Sequence, residues 1–248
     1  MSDLIESLLK CKVNGNVLSL PPMSEGPLAN YAEVRKALLN AGASYKKKTF
    51  IFPSLAQPFI DRLTNGESVN IKKEFQFFAT PDDIADWLVE LAELRESDLI
   101  LEPSAGQGAI LKAINKVLPG KIVLCVELMP ENRTVLESMA TANLMDIDFL
   151  NLESAVALST KFTKIIANPP FSKNQDIDHI YQMYKCLKTG GRIVTVASKH
   201  WQNSSNKKEK EFRGWLSELD AEIHEIKAGA FKSSGTMISS VVIIIDKA

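Results

Sequence analysis

The chain has 248 residues, 45% of them hydrophobic, enough to bury the core of one large domain or of one medium domain with a small appendage. Lysine and arginine (29) nearly balance aspartate and glutamate (30); the formal charge of -1 gives no composition-wide case for a polyanion partner, and any nucleic-acid contact has to come from local patches. Three widely spaced cysteines, Cys11, Cys125 and Cys186, argue against a disulfide framework and a structural zinc site, and the strongest apolar stretch, Val241 to Ile245, is too short for a bilayer, so the expectation is a cytoplasmic protein without a metal.

In chain order, Asn16 to Leu20 reads as a strand closed by Pro21-Pro22, Tyr31 to Asn40 as a helix, Thr49 to Phe52 as a second strand and Leu55 to Leu63 as a helix ending before Asn65-Gly66. These form a small α/β module over residues 1–70, set off by the polar stretch Ser68 to Glu74 from a second domain, residues 71–248. The second domain opens with a helix, Asp82 to Leu91, for which Thr80 and Pro81 suit the N-cap and first helical position. From Asp98 onward, β-branched runs alternate with amphipathic stretches, the pattern of a parallel sheet with crossover helices. The strands are Asp98 to Glu102, Ile122 to Glu127, Leu144 to Ile147, Lys164 to Ala167 and Arg192 to Ala197. Helices fall at Gln107 to Leu118, from Pro130, at Ile177 to Leu187 before a Gly190-Gly191 stop, and at Glu209 to Leu219. Ala221 to Ile226 and Ser239 to Ile245, with no helix between them, predict a terminal hairpin.

Glu102-Pro103-Ser104-Ala105-Gly106-Gln107-Gly108 leaves the carboxyl end of the first of these strands, where an open α/β sheet binds nucleotide-like ligands because glycines admit the ligand to the backbone. Glu127 ends the next strand nineteen residues after Gly108, placed to accept hydrogen bonds from two ribose hydroxyls. On these residues alone a dinucleotide site remains open. Asn168-Pro169-Pro170-Phe171 follows the fourth strand of the series. Its prolines stiffen the exit and donate no hydrogen bond, so the Asn168 side-chain oxygen and the Pro169 carbonyl form a pair of acceptors matched to a planar amino group, with Phe171 to stack on its ring.

On E-P-S-A-G-Q-G at 102–108, V-E-L at 126–128, D-F-L at 148–150 and N-P-P-F at 168–171, residues 75–245 resemble the amino-methyltransferases of DNA adenine, in the subgroup whose cofactor motif precedes its catalytic motif. The resemblance implies a Rossmann-like methyltransferase sheet, S-adenosylmethionine as cofactor, DNA as partner and transfer of a methyl group to N6 of an adenine flipped from the duplex. It implies that Glu102, Pro103, Ser104, Ala105, Gly106, Gly108, Glu127, Leu128 and Asn168 line the cofactor, that Asp148 bonds the cofactor's adenine amino group and that Phe149 lies beside that ring. Gln76 to Pro81, with Phe78 and Thr80, resembles the family's motif over the methionine end. Asn168, Pro169, Pro170 and Phe171 are the catalytic loop; Phe231 stands where the family often places a second wall for the flipped base, and it suits hairpin packing equally.

Candidate DNA contacts are Lys46-Lys47-Lys48 beside Tyr45 and Phe50, Lys72-Lys73, and the loop carrying Lys199, Trp201, Lys207, Lys208, Lys210 and Arg213, which borders the site by topology. Members of this motif order usually carry a large recognition domain after the catalytic one. The sequence ends at Ala248, so recognition is expected from the module, the Lys199 loop or a partner chain. His179, His200 and His224 have no assigned role and are expected at the surface or at helix ends. Two alternatives stand: a methyltransferase of RNA or of a protein glutamine amide, and a nucleic-acid-binding protein that keeps the pocket without catalysis.

Overall fold

The chain separates into two units, Met1–Phe77 and Phe78–Ala248. A computed structural model describes residues 3–22, 28, 30–52, 55–70, 79–145, 147–151, 158–159, 161–227, 229–231 and 239–248.

The first unit runs α1 (Asp3–Leu9), β1 (Lys12–Asn14), β2 (Val17–Ser19), α2 (Tyr31–Asn40), β3 (Ser44–Lys46), β4 (Thr49–Ile51) and α3 (Gln57–Thr64). The strands form one antiparallel sheet in the order β1-β2-β4-β3. The central strands supply Leu18 and Phe50 to the core, α2 adds Val34 and Leu38 one turn apart, and α3 adds Phe59, Ile60 and Leu63. Phe52 stacks on Phe59 with ring centres 5.2 Å apart. The edge strands β1 and β3 and the helix α1 went unread in the sequence. Both strands are polar and three residues long, and β3 is exposed throughout, so no alternation of apolar residues marks them.

The second unit continues with α4 (Asp82–Ala92), β5 (Ile100–Glu102), α5 (Ala109–Val117), β6 (Val123–Val126), α6 (Pro130–Glu137), β7 (Ala142–Met145), β8 (Phe162–Ala167), a short 3-10 turn (Ser172–Asn174), α7 (Gln175–Cys186), β9 (Leu187–Ser198), α8 (His200–Asn203), α9 (Lys207–Glu218), β10 (Glu222–Glu225) and β11 (Ser240–Asp246). Its seven strands lie in the order β10-β11-β9-β8-β5-β6-β7. The five from β9 to β7 are parallel; β11 pairs antiparallel with both β9 and β10, the expected hairpin with its second arm inserted beside β9. This is a Rossmann-like sheet.

That insertion explains the composition of β11. Both faces of the strand are covered, Val242 and Ile244 joining the core under α4 and α5, Val241, Ile243 and Ile245 the core under α7 and α9, so the run is apolar without alternation. The same period of two divides β9, with Val194 and Val196 on the first side, Ile193 and Ala197 on the second. Among the boundaries that differ from expectation, three have a direct structural reason. Gly108 takes a left-handed conformation at φ 73, which delays α5 to Ala109. β7 starts at Ala142, two residues earlier than read, because Ala142 and Asn143 pair with Val123 and Leu124 without any apolar signature. Gly190-Gly191 does not stop a helix before a new strand: α7 passes at Leu187 directly into β9, and the pair sits where the ladder jumps from Phe162–Leu187 to Lys164–Arg192.

Candidate active site

Adjacent strands β5, β6 and β8 bring the three motifs to one edge of the sheet. The glycine loop leaves β5 and is tied to the end of β6: Ala105 N–H donates to the Val126 carbonyl at 3.0 Å and Gly106 N–H to Glu127 Oε2 at 2.7 Å. Glu127 Oε1 accepts the Met129 N–H, also at 2.7 Å, so one carboxylate shapes two loops before it meets any ligand. Burial raises its pKa while these N–H donors oppose the shift. Arg133 fixes the strand end, donating to the carbonyls of Glu127 and Met145. Gly108 is favoured by its backbone, and a side chain there would displace the flexible end of Met139. Its φ is left-handed, and a Cβ there would meet the Met139 sulfur at 2.7 Å.

Beneath the loop, Glu102 is 2% exposed, and its carboxyl is held well above the usual range by burial first and by the charge of Glu127 second. Its Oε2 and the Nε2 of Gln107 are buried without a protein partner. An unmet acceptor and an unmet donor in one motif fit the ammonium and carboxylate of an amino-acid headgroup, as the methionine end of S-adenosylmethionine presents. Pro103 and Ala105 are buried and Ser104 is half-buried. Leu128 is 53% exposed at the end of β6.

Asp148 is exposed after β7, with Oδ1 accepting the Leu150 N–H at 3.0 Å. Phe149 turns inward, buried in the second core, with its ring 5.4 Å from that of His179. His179 corrects the expectation of a surface histidine. It is buried on α7, Nδ1 lies 3.3 Å from Ser104 Oγ, and burial pushes its pKa down to about 4, so the ring is neutral at physiological pH.

At the exit of β8, Asn168 Nδ2 donates to Thr80 Oγ1 at 3.1 Å, which holds the amide at the strand end. Thr80 is therefore not the N-cap of α4; Pro81 holds that position without a side-chain cap, and the threonine hydroxyl serves Asn168. Pro169 is buried, Pro170 half-buried, and Phe171 is partly buried against the first core. The chain then enters two consecutive left-handed residues, Lys173 (φ 54) and Asn174 (φ 59). Asn174 N–H closes back on the Phe171 carbonyl, its side chain donates to buried Glu209 at 2.9 Å, and Lys208 Nζ donates to the Asn174 carbonyl and to Asp178. The start of α9 is thus stitched to the turn that follows Asn168 to Phe171.

Four substrate contacts expected from the sequence are placed differently. Trp201 is 3% exposed, packed against Phe212 in the second core, and contributes no surface to a polyanion. Phe231 is 4% exposed in the first core, which is the packing alternative and not an open wall for a base. Lys208 is committed to Asp178, and Lys199 is ion-paired with Glu225. Lys207 is exposed beside Glu211. Phe78, Gln76, Phe77 and Lys72-Lys73 lie outside the described residues. Among the described residues no cluster of His, Cys, Asp and Glu could hold a metal, and no helix is long and apolar enough to cross a membrane.

The methyltransferase small domain family matches residues 77–217, more than half of the chain and every motif of this edge. The chain belongs to that family. The chain is 29% identical over 100 residues to the release factor glutamine methyltransferase of Deinococcus radiodurans, a match covering 39% of the chain and 36% of the relative. It is 27% identical over 137 residues to the type II methyltransferase M.CvrRI of Paramecium bursaria Chlorella virus XZ-6E, covering 55% of the chain and 34% of the relative. The chain thus spans about a third of the length of these curated relatives. Its fold is shared with the methyltransferase subunit of a type I restriction-modification system from Streptococcus thermophilus, at a TM-score of 0.59 and 20% identity over 68% of the chain and 45% of that structure.

Proposed function

We propose that the methyltransferase methylates N6 of adenine in DNA. The observation that carries this reading is the Asn168–Thr80 hydrogen bond, which holds an amide acceptor at a proline-stiffened strand exit next to the glycine loop. S-adenosylmethionine is the methyl donor; bound, it supplies an electrophilic methyl group on a positively charged sulfur that leaves as a neutral thioether. Glu102 and Gln107 hold the headgroup, Glu127 the ribose hydroxyls and Asp148 the adenine amino group of that donor. Asn168 Oδ1 and the Pro169 carbonyl accept the two hydrogens of the substrate's planar amino group, turn its nitrogen toward the donor side and favour the positive charge that develops on it. Neither has to act as a base, because the methylated cationic amine is acidic enough to lose its proton to solvent. Phe171 stacks on the flipped base.

The wording of the glycine loop and the longer match to a type II methyltransferase support DNA. The match to a glutamine methyltransferase supports a second reading, since a glutamine amide offers the same planar nitrogen. Labelled S-adenosylmethionine incubated with duplex DNA, single-stranded DNA, RNA and a protein extract, followed by mass spectrometry, separates them. N6-methyladenine in DNA is the expected product. Label only on a protein glutamine establishes the second reading, and bound cofactor with no label in any arm removes both.

A further inference from the structure

The two units differ in charge. Residues 1–77 hold ten Lys and Arg against seven Asp and Glu, whereas residues 78–248 hold nineteen against twenty-three, so a basic module is joined to an acidic domain. Much of the module's surplus stands at one hairpin. β3 and β4 pair Lys46 with Thr49 across the two-residue turn Lys47-Lys48, and both turn residues have positive φ, 47 and 67. A turn of that shape favours Asn-Gly, so lysine at both positions works against the local fold. Beside the turn, Tyr45 is 39% exposed and Tyr31 37% exposed. Arg35 lies over the Tyr45 ring, its guanidinium carbon 6.0 Å from the centroid, and Tyr31 interacts with both Tyr45 and Arg35. Phe50, its ring centre 4.9 Å from that of Tyr45, is fully buried and fixes the hairpin to the core. Cations and two exposed rings on a rigid support are the elements of a surface that binds phosphodiesters and stacks unpaired bases.

We infer that the hairpin tip Lys46-Lys47-Lys48, with Arg35, Tyr31 and Tyr45, is a nucleic-acid-binding surface that grips the phosphate backbone. This goes beyond the methyl-transfer reading, which uses no residue of the module, and it is tested without any methyl transfer. The discriminating variant is Lys47→Asn with Lys48→Gly in the full chain, because it removes two cations while giving the turn the residues its backbone favours. Anisotropy with labelled duplex and single-stranded DNA of one sequence, without cofactor, is measured from 50 to 300 mM salt. The variant should melt no lower than wild type, bind at least about fivefold more weakly at low salt, and lose about 1.8 from the slope of log affinity against log salt on duplex or about 1.4 on a single strand. Tyr45→Ala should weaken the single-stranded probe more than the duplex. Wild-type affinity and slope in the double variant on both probes, or no binding by the wild-type chain to either, overturns the inference. Methylation that persists in the double variant at saturating DNA leaves the catalytic reading standing in either case.

Discussion

At the residue scale, the proposed reading rests most directly on Asn168, whose side chain is held by a hydrogen bond to Thr80. Asn168→Ala should leave the thermal midpoint within a few degrees and cofactor affinity nearly unchanged, because a half-exposed strand-exit residue adds little packing. Single-turnover methyl transfer at saturating cofactor should fall on the order of a hundredfold or more, and Asn168→Asp should retain more activity because a carboxylate still accepts. A wild-type rate in Asn168→Ala would remove the catalytic assignment of the whole loop. Glu102 poses the complementary case. Its folded pKa lies above the unfolded value, so the folded chain holds the extra proton in the window between them, and its contribution to stability falls as pH rises through that window. An ammonium ligand favours the ionised form, so cofactor affinity should rise with pH across the same window. Glu102→Gln should therefore raise the midpoint at neutral pH, abolish that pH dependence of binding and weaken the cofactor about 10- to 100-fold through loss of a charge-assisted bond. Calorimetry across pH checks it, and a variant that binds as wild type at every pH assigns the headgroup elsewhere. That Asn168, Glu127 and Gly108 come together at one edge of the sheet was legible in the sequence, because each follows a strand of the same parallel series. His179 was not, because no local pattern tells that a helix places its ring under a loop 75 residues away.

At the element scale, the parallel strands and their crossover helices were legible because apolar periodicity reports burial directly, and β11 was legible as a strand from its unbroken β-branched run. What escaped were elements whose order comes from partners: the polar edge strands β1 and β3, the early start of β7, and the continuity of β9 through its glycines. Gly190-Gly191 carries the signature of a terminator, yet Gly191 is confined by contact. A Cβ there would lie 2.8 Å from the Lys188 carbonyl oxygen and 2.9 Å from that of Thr163, both backbone atoms beside the register shift of the β8–β9 ladder. Gly190 has a φ of 76 with open space around it. Gly191→Ala should consequently cost about 3 kcal/mol, the upper end for overpacking, and lower the midpoint by about 6–12 °C. Gly190→Asn, which tolerates the left-handed region, should cost under about 1 kcal/mol. Thermal denaturation of the two variants decides; equal losses would mean that the irregularity in β9 needs conformational freedom at both positions and not close approach at one.

At the scale of the whole molecule, each unit has its own sheet and its own buried residues, and the motifs of methyl transfer fall in the second while the basic hairpin falls in the first. The change in pattern near Ser68 to Glu74, which divides the sequence at residue 70, lies a few residues before the boundary between the two units at Phe77 and Phe78. The location of the basic surface was not legible, because in the sequence Lys46-Lys47-Lys48 and Lys199 to Arg213 are both runs of cations. Folding separates them: Lys199 and Lys208 are neutralised by Glu225 and Asp178, whereas Lys47 and Lys48 stand at an exposed turn. A chain beginning at residue 71 keeps the family motifs from Gln76 onward and every strand of the seven-stranded sheet. It should fold cooperatively and bind S-adenosylmethionine within about twofold of the full chain, since the loops that hold the cofactor are tied to one another and to β6. Its methyl transfer to DNA should be weaker mainly in the apparent Michaelis constant, with kcat at saturating DNA largely kept. The deficit should shrink as salt rises, because counterion release is the advantage that the module confers on the full chain and salt removes it. Steady-state rates of the two proteins at several salt concentrations measure this. If the truncated chain matches the full one in KM at low salt, the module serves something other than DNA capture; if it loses kcat and cofactor together, the two units do not act independently.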